Sequence, residues 1–277
     1  MNPPHLVGML HLPALPGTPA WRGQPLEEIT RAACADAEVL AAAGFAAVMV
    51  QNSLDRPTRE RVDLLCVAQL ASVVIAVRHA VALSVGVNVV KNDGPAGVAV
   101  AAATGAAIVR VKVLTGAVLS AEGIVSGCAA EVQALRARCG ARPAIWADIY
   151  EPTSRPLLDG DFEAAVEDAV NFGCADAVIV TGPTAQATLG LARKARETCP
   201  EVRVVIGGGV SAATVADALA CADAVIIGRA LKAVPGISGR VDMDAARAVV
   251  RAAAAANGGW AERQGHEPSQ LPVEDRV

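Results

Sequence analysis

Short apolar runs alternate with longer amphipathic stretches along this chain, and the alternation occurs eight times. Apolar runs of this length, bounded by turn residues, are typical of buried parallel strands, and a period of 3.6 residues is typical of helices. The predicted strands are residues 6–10, 46–50, 83–87, 107–113, 144–149, 177–180, 202–206 and 224–227. Eight strand–helix units in about 250 residues predict a single-domain (β/α)₈ TIM barrel.

Helix boundaries can be predicted from capping residues. After the fifth strand, Asp161 is suited to an N-cap and is followed by apolar residues at helical spacing on one face: Phe162, Ala165, Val166, Ala169 and Val170. Pro25 suits the first residue of a helix, and Ser120 suits an N-cap. Another helix is expected to begin at about Ser211.

The chain is predicted to form one domain over residues 1–257, because no Pro/Gly/Ser-rich linker interrupts the alternation. A doubly wound open sheet is the alternative, although no G-x-G-x-x-G follows the first strand. Residues 258–277 form a polar tail in which Trp260 is the only large aromatic group. We expect this tail to be loosely ordered or to lie at a subunit contact in a homo-oligomer.

Composition and charge exclude several functions. The apolar fraction of 53% is ample for a large core, and the net charge of −4 gives no support for binding to nucleic acid or to a membrane. The N-terminus lacks the basic flank and the long apolar run of a signal peptide, so a cytoplasmic protein is expected. Seven cysteines without a C-x-x-C spacing argue against disulfides and zinc, and we expect neither a cofactor nor a resident metal.

Candidate catalytic residues lie where the predicted strands end, because active sites of these barrels form there. In the fourth strand, alternation places Val109, Val111 and Val113 outward, which directs Arg110 and Lys112 into the barrel mouth. In the fifth strand, Trp146, Asp148 and Tyr150 share one face, so Asp148 is expected beside Lys112 as an acid–base pair. An internal ion pair between these cations and Asp148 is the structural alternative. His11, after the first strand, could act as a general base, and a structural histidine with satisfied hydrogen bonds is the alternative.

Glycines follow the last two predicted strands, where this fold commonly holds a phosphate group, so we expect a barrel that is similar to the ribulose-phosphate-binding type. The predicted phosphate site comprises Gly207, Gly208, Gly209, Ser211, Gly228 and Arg229. Other polar residues at strand ends are predicted to bind the rest of the substrate, namely Asn52, Asn88, Arg110 and Thr181. Asn92 and Asp93 are interpreted as turn formers or helix caps.

Several segments resemble the BtpA/SgcQ family of (β/α)₈ barrels. The similar segments are VGMLHLPALPGTP (7–19), VMVQNSLDRP (48–57), VGVNVVKND (85–93), VRVKVLTG (109–116), EGIVSG (122–127), WADI (146–149), DAVIVTGPT (176–184) and the glycine-rich segment 204–232. The resemblance implies a single barrel. The family includes a cyanobacterial factor needed for photosystem I accumulation and a member associated with sugar-utilisation genes.

This chain departs from the family pattern at several strand ends. Gln51-Asn52 stands where Glu-Asn is usual, Lys112 where Asn is usual, and Ala121-Glu122 where Asp-Gln is usual. Pro152-Thr153 replaces a Lys-His pair, and Gly207-Gly208-Gly209 replaces Gly-Ser-Gly. A changed set of ionisable groups beside a retained glycine run indicates an altered substrate or reaction.

The sequence favours an enzyme that acts on a small phosphorylated sugar, ribosyl or nucleotide-derived substrate by isomerase, epimerase or lyase chemistry. His11, Lys112 and Asp148 would share the proton transfers. One alternative is a non-catalytic assembly, biogenesis or regulatory factor that binds such a ligand or a protein partner. A third is a metal-dependent phosphohydrolase, which would require Asp55, Asp93, Asp148 and Glu151 to converge.

Overall fold

The computed structural model describes residues 5–140, 142–150, 152–157, 160–234 and 236–257. The predicted tail therefore lies outside the described residues. The strands are β1 His5–His11, β2 Ala47–Gln51, β3 Ser84–Asn88, β4 Ile108–Val111, β5 Ala117–Ser120, β6 Gly123–Ser126, β7 Ala144–Tyr150, β8 Ser154–Pro156, β9 Ala177–Val180, β10 Arg203–Ile206 and β11 Ala224–Ile227. The helices are α1 Leu26–Ala43, α2 Leu64–Ala80, α3 Gly94–Thr104, α4 Ala129–Arg138, α5 Phe162–Glu167, α6 Ala185–Thr198, α7 Val215–Cys221 and α8 Met243–Asn257.

Eight parallel strands close into a barrel in the order β1-β11-β10-β9-β7-β4-β3-β2. β1 pairs with both β2 and β11, so the sheet has no free edge and the doubly wound alternative was wrong. All eight predicted strands are present, and the predicted barrel is confirmed.

Among the described helices, none combines the length and apolarity that a bilayer crossing requires.

Two separate apolar cores follow from the alternation of side chains along each strand. Outward residues such as Val48, Val87 and Val109 pack with the helices in the larger core. Inward residues fill the barrel interior, namely Val7, Met9, Ala47, Met49, Ile108, Trp146, Ala177, Ile179, Val205, Ala224 and Ile226. The interior is therefore packed, and polar side chains are accommodated only at its ends.

A small antiparallel sheet of order β6-β5-β8 was not predicted from the sequence. Ser120, predicted as a helix N-cap, ends β5, and a two-residue turn leads to Gly123 at φ 101°. Helix α4 begins only at Ala129. The fourth barrel strand also ends earlier than predicted, because the side-chain amide of Asn92 takes both backbone hydrogen bonds of Val113, at 2.8 and 2.9 Å.

The predicted helix boundaries were partly right. Asp161 caps α5 by accepting a hydrogen bond from the Glu163 N–H, and Asp93 caps α3 in the same way through Ala96. Pro25 precedes the first helical residue by one position. The helix expected at Ser211 begins at Val215, since the Ser211 N–H is bonded to Thr214 Oγ1 in a preceding turn.

Candidate functional site at the barrel mouth

Each of the eight barrel strands directs one residue inward at its C-terminal end, directly above the apolar interior. We call these residues the mouth ring: His11, Gln51, Asn88, Arg110, Asp148, Thr181, Gly207 and Gly228. The ring is polar or lacks a side chain at every position, whereas the layer below it is apolar. Most of the predicted site residues are therefore brought together here.

The two ring glycines are required by close packing. A Cβ atom at Gly207 would lie 2.4 Å from Ile179 Cγ2 and 2.8 Å from Thr181 Oγ1. A Cβ atom at Gly228 would lie 2.6 Å from His11 Cε1. All three distances are shorter than real Cβ contacts, so the backbone at the ends of β10 and β11 lies directly against its neighbours.

The glycine run presents backbone donors at the same edge of the mouth. The Gly207 N–H donates to the Val180 carbonyl at 3.0 Å and so belongs to the sheet. Within the described residues, the N–H groups of Gly208 and Gly209 donate no hydrogen bond. Such N–H groups can bind an anion. Helix α7 begins at Val215, four residues beyond the start expected at Ser211, so Ser211 lies in the turn before the helix.

Arg110 and Asp148 form a buried ion pair within the ring. Arg110 Nε donates to Asp148 Oδ2 at 2.8 Å, and Arg110 Nη2 donates to Asp148 Oδ1 at 2.7 Å. The side chains are 6% and 0% exposed, so the two charges are almost fully removed from water. Asp148 is therefore paired with Arg110 and not with Lys112, which matches the structural alternative. Lys112 follows β4 and lines a cavity of about 310 Å³ that Asp148 also borders.

His11 is neutral at physiological pH. Burial first, and then the positive charges of Lys232, Arg110, Arg229 and Lys112, together lower the pKa of its imidazole to about 4. Its Nδ1 atom is buried and has no hydrogen-bond partner among the described residues. A general base with so low a pKa is weak, and a bound anion would be needed to raise it.

The two predicted asparagines differ in their surroundings. Asn52 points away from the ring, where its Oδ1 accepts from the Val90 N–H and its Nδ2 donates to Asp55 Oδ2, both at 2.9 Å. Its amide is used to hold the loops after β2 and β3, so the structure does not bring it to the mouth. Asn88 lies in the ring and donates to the Arg110 carbonyl at 2.9 Å, while its Oδ1 has no partner in the described chain.

Two other predicted positions are placed by the structure. Arg229 is exposed directly after β11, and it forms no ion pair with any described residue.

Tyr150 was predicted on the same face as Asp148, and this was wrong. A register shift between Asp148 and Tyr150 turns Tyr150 outward, where its ring centroid lies 5.8 Å from that of Phe162.

Loops above the ring are joined by a polar cluster that the sequence did not reveal. Lys91 Nζ donates to Thr153 Oγ1 at 2.6 Å and lies 4.0 Å from Glu122 Oε2. Glu122 also accepts hydrogen bonds from Thr58 and Ser120. Burial alone would raise the pKa of Glu122, but these hydrogen bonds lower it, so the carboxylate stays ionised. The cluster connects the loops after β2, β3, β4 and β7.

The carboxylates proposed for a metal site have separate partners. Asp55 accepts from the Leu15 N–H, Asp93 caps α3, and Asp148 pairs with Arg110. Glu151 lies outside the described residues. Across the described ranges, no group of three His, Cys, Asp or Glu residues has the spacing to hold a metal ion.

The fold and the polar mouth define a (β/α)₈ barrel protein with a candidate ligand site at the carboxyl ends of its strands. The chain belongs to the BtpA family, whose sequence profile matches residues 3–255. It is 37% identical over 250 residues to an uncharacterized protein of Thermococcus kodakarensis, covering 90% of this chain and 94% of that protein. It is 32% identical over 243 residues to the photosystem I biogenesis protein BtpA of Synechocystis, covering 86% and 83% of the two chains.

Solved structures with a similar fold include aldolases and isomerases. A 4-hydroxy-2-oxoglutarate aldolase superposes with a TM-score of 0.55 at 20% identity, over 91% of this chain and 93% of that chain. The N-(5'-phosphoribosyl)anthranilate isomerase of Pyrococcus furiosus superposes with a TM-score of 0.53 at 12% identity, over 91% and 99%. At these identities the likeness establishes the barrel fold alone.

Proposed function

We propose that this chain is an enzyme that acts on a small phosphorylated sugar, ribosyl or nucleotide-derived compound by acid–base chemistry of the isomerase, epimerase or lyase type. The supporting observation is the juxtaposition of Gly208 and Gly209 N–H donors with the polar mouth ring. A phosphate at these donors would lie at the edge of the mouth that Thr181 and Gly228 also form. The rest of a small substrate would then extend over His11 and Asp148.

The charges around the mouth favour an anionic ligand. Burial is the main cause of the lowered pKa of His11, and the positive charges of Lys232, Arg110, Arg229 and Lys112 lower the pKa as well, so these charges act at the mouth. A phosphate dianion would offset this field and raise the pKa of His11. We therefore expect the ligand itself to convert His11 into an effective base or acid, while the Lys112 ammonium stabilises a developing oxyanion.

The proposal is tested by hydrogen–deuterium exchange at substrate carbon atoms. Ribose 5-phosphate, ribulose 5-phosphate and dihydroxyacetone phosphate are incubated with the protein in D₂O and followed by proton NMR. We expect loss of the C–H signal next to the carbonyl group of at least one phosphate ester and none from ribose. The variants His11→Asn and Lys112→Met should slow exchange at least 100-fold, since general acid–base groups contribute about 10²–10⁴ in rate.

Asp148→Asn is a further variant of the same assay. We expect turnover to be lost while the phosphate ester still binds, because the proposed phosphate contacts follow β10 and β11, away from Asp148 on β7. Unchanged turnover in this variant would remove Asp148 from the mechanism. Binding without exchange by the wild-type protein would contradict the enzymatic proposal.

A second candidate function, assembly or biogenesis, is favoured by a different observation. Leu119 and Ile124 are paired across β5 and β6 and are 50% and 59% exposed, and Leu157 nearby is 47% exposed. Exposed apolar groups on one sheet are typical of protein contact surfaces. Replacing both Leu119 and Ile124 with serine would abolish partner capture under this alternative and leave phosphate binding unchanged.

A further inference from the structure

A cavity of about 450 Å³ lies beside the barrel mouth, between the start of the loop after β1 and helix α1. We call it the α1 cavity. Loops after β2 and β11 complete its walls through Leu54, Arg56 and the segment 238–240. Its volume is within the range of about 300–1,000 Å³ that is usual for small-molecule sites.

The floor of the α1 cavity is apolar and rigidly placed. Leu10, Leu12, Ile29 and Ala33 line it, and each is at most 5% exposed. These side chains belong to β1, the segment after it and α1, so they are fixed by the larger core. A ligand with an apolar group would bury that group here without reorganisation of the backbone.

Three arginines line the rim of the α1 cavity, namely Arg22, Arg56 and Arg240. Arg240 is held on α1, since its Nε donates to Asp36 Oδ1 at 2.7 Å and its Nη2 donates to the Ala32 carbonyl at 3.1 Å. Arg240 thereby neutralises the charge of Asp36. Lys232 Nζ lies 3.8 Å from Asp36 Oδ2. Arg22 and Arg56 are exposed and form no ion pair with any described residue. The rim therefore carries uncompensated positive charge.

We propose that the α1 cavity binds an amphipathic anion, in which a terminal carboxylate or phosphate contacts Arg22 and Arg56 and an apolar group lies on Leu12, Ile29 and Ala33. Guanidinium groups bind such oxyanions through paired hydrogen bonds. The site is separate from the glycine donors of the mouth, although His11 borders both. The inference does not depend on the proposed reaction.

Octanoate is a suitable probe, with butyrate, octanol and octylammonium as matched compounds that lack the apolar length or the negative charge. Binding is measured by calorimetry and by methyl NMR of the full chain. We expect octanoate to bind at least tenfold more tightly than any of the three and to shift the methyl signals of Ile29, but not those of Ile75 on α2. Equal binding of octanol, or shifts spread over both residues, would overturn the proposal.

Two kinds of variant locate the site. Ala32→Leu fills the cavity from α1 and should weaken octanoate binding at least tenfold, whereas the exposed control Ala42→Leu on the same helix should not. Arg56→Gln combined with Arg22→Gln should weaken octanoate binding about threefold to tenfold, as expected for partly exposed charges. Unchanged affinity in both the filled and the arginine variants, or no octanoate binding at 10-fold excess over millimolar protein, would contradict the assignment.

Discussion

The Arg110 guanidinium and the Asp148 carboxylate are joined by two hydrogen bonds of 2.8 and 2.7 Å across the neighbouring strands β4 and β7. Removal of one partner leaves a buried charge without compensation, which typically costs about 3–5 kcal/mol of stability. We therefore expect Arg110→Met and Asp148→Leu each to lower the free energy of unfolding by about that amount.

The double variant should be less destabilised than the sum of the two single variants, because no charge then remains buried. Urea unfolding of the four proteins measures this coupling. A double variant whose loss of unfolding free energy equals the sum of the two single losses would show that the two charges do not act as a pair.

The low pKa of His11 predicts a dependence of stability on pH. The unfolded chain binds a proton near pH 6.5, whereas folded His11 does so only near pH 4. The unfolded state therefore holds more protons between these values, and stability is lost as the pH falls from 6.5 to 4. The loss attributable to His11 is at most about 3 kcal/mol.

His11→Asn should remove this part of the pH dependence and leave the stability at pH 7.5 within about 1 kcal/mol. Urea unfolding at pH 4.5, 5.5, 6.5 and 7.5 provides the comparison. Parallel profiles for the two proteins would mean that His11 titrates normally in the folded state.

Close packing between Gly228 and His11 gives a steric prediction. A methyl group at residue 228 would lie 2.6 Å from His11 Cε1, so Gly228→Ala must displace the imidazole. We expect a loss of about 1–3 kcal/mol in stability and a shifted His11 Cε1–H resonance. Gly190 is an exposed residue of α6 with no atom within 4 Å of its added Cβ, so Gly190→Ala should stabilise the protein by about 0.5–1 kcal/mol. A His11 resonance that moves equally in both variants would contradict the packing.

The polar cluster around Glu122 is predicted to hold the loops over the mouth. Glu122→Gln weakens the contacts with Thr58, Ser120 and Lys91, at a cost of about 1 kcal/mol. Amide hydrogen exchange should become faster in residues 117–126 and remain unchanged in β1. The exposed substitution Glu28→Gln in α1 is the control. Unchanged exchange in 117–126 would show that the cluster does not restrain this loop.

Strand periodicity was sufficient to predict the barrel. Inward placement of Arg110 and Asp148 also followed from alternation along regular strands. The same rule failed at Tyr150. A register shift between Asp148 and Tyr150 reverses the direction of the Tyr150 side chain, and no residue pattern in the sequence indicates that shift. Asn52 was placed by its position after the second strand, whereas alternation beyond the inward Gln51 directs it away from the mouth ring, as the structure has it.

Contacts between distant loops could not be predicted. The small sheet depends on the pairing of β5 with β8, and β6, α4 and β7 lie between these two strands in the sequence. Lys232 follows a single 3-10 turn, and nothing in its local sequence indicates that it is buried near Asp36 and influences His11. Such effects arise from tertiary proximity.

The central claim is that a phosphate group binds at the glycine run beside the mouth ring. A crystal structure of the protein soaked with ribose 5-phosphate tests it most directly. The account predicts phosphate density within about 3.2 Å of the Gly208 and Gly209 nitrogen atoms, with the sugar directed toward His11. A fully occupied ligand whose phosphate lies away from both glycines would contradict it.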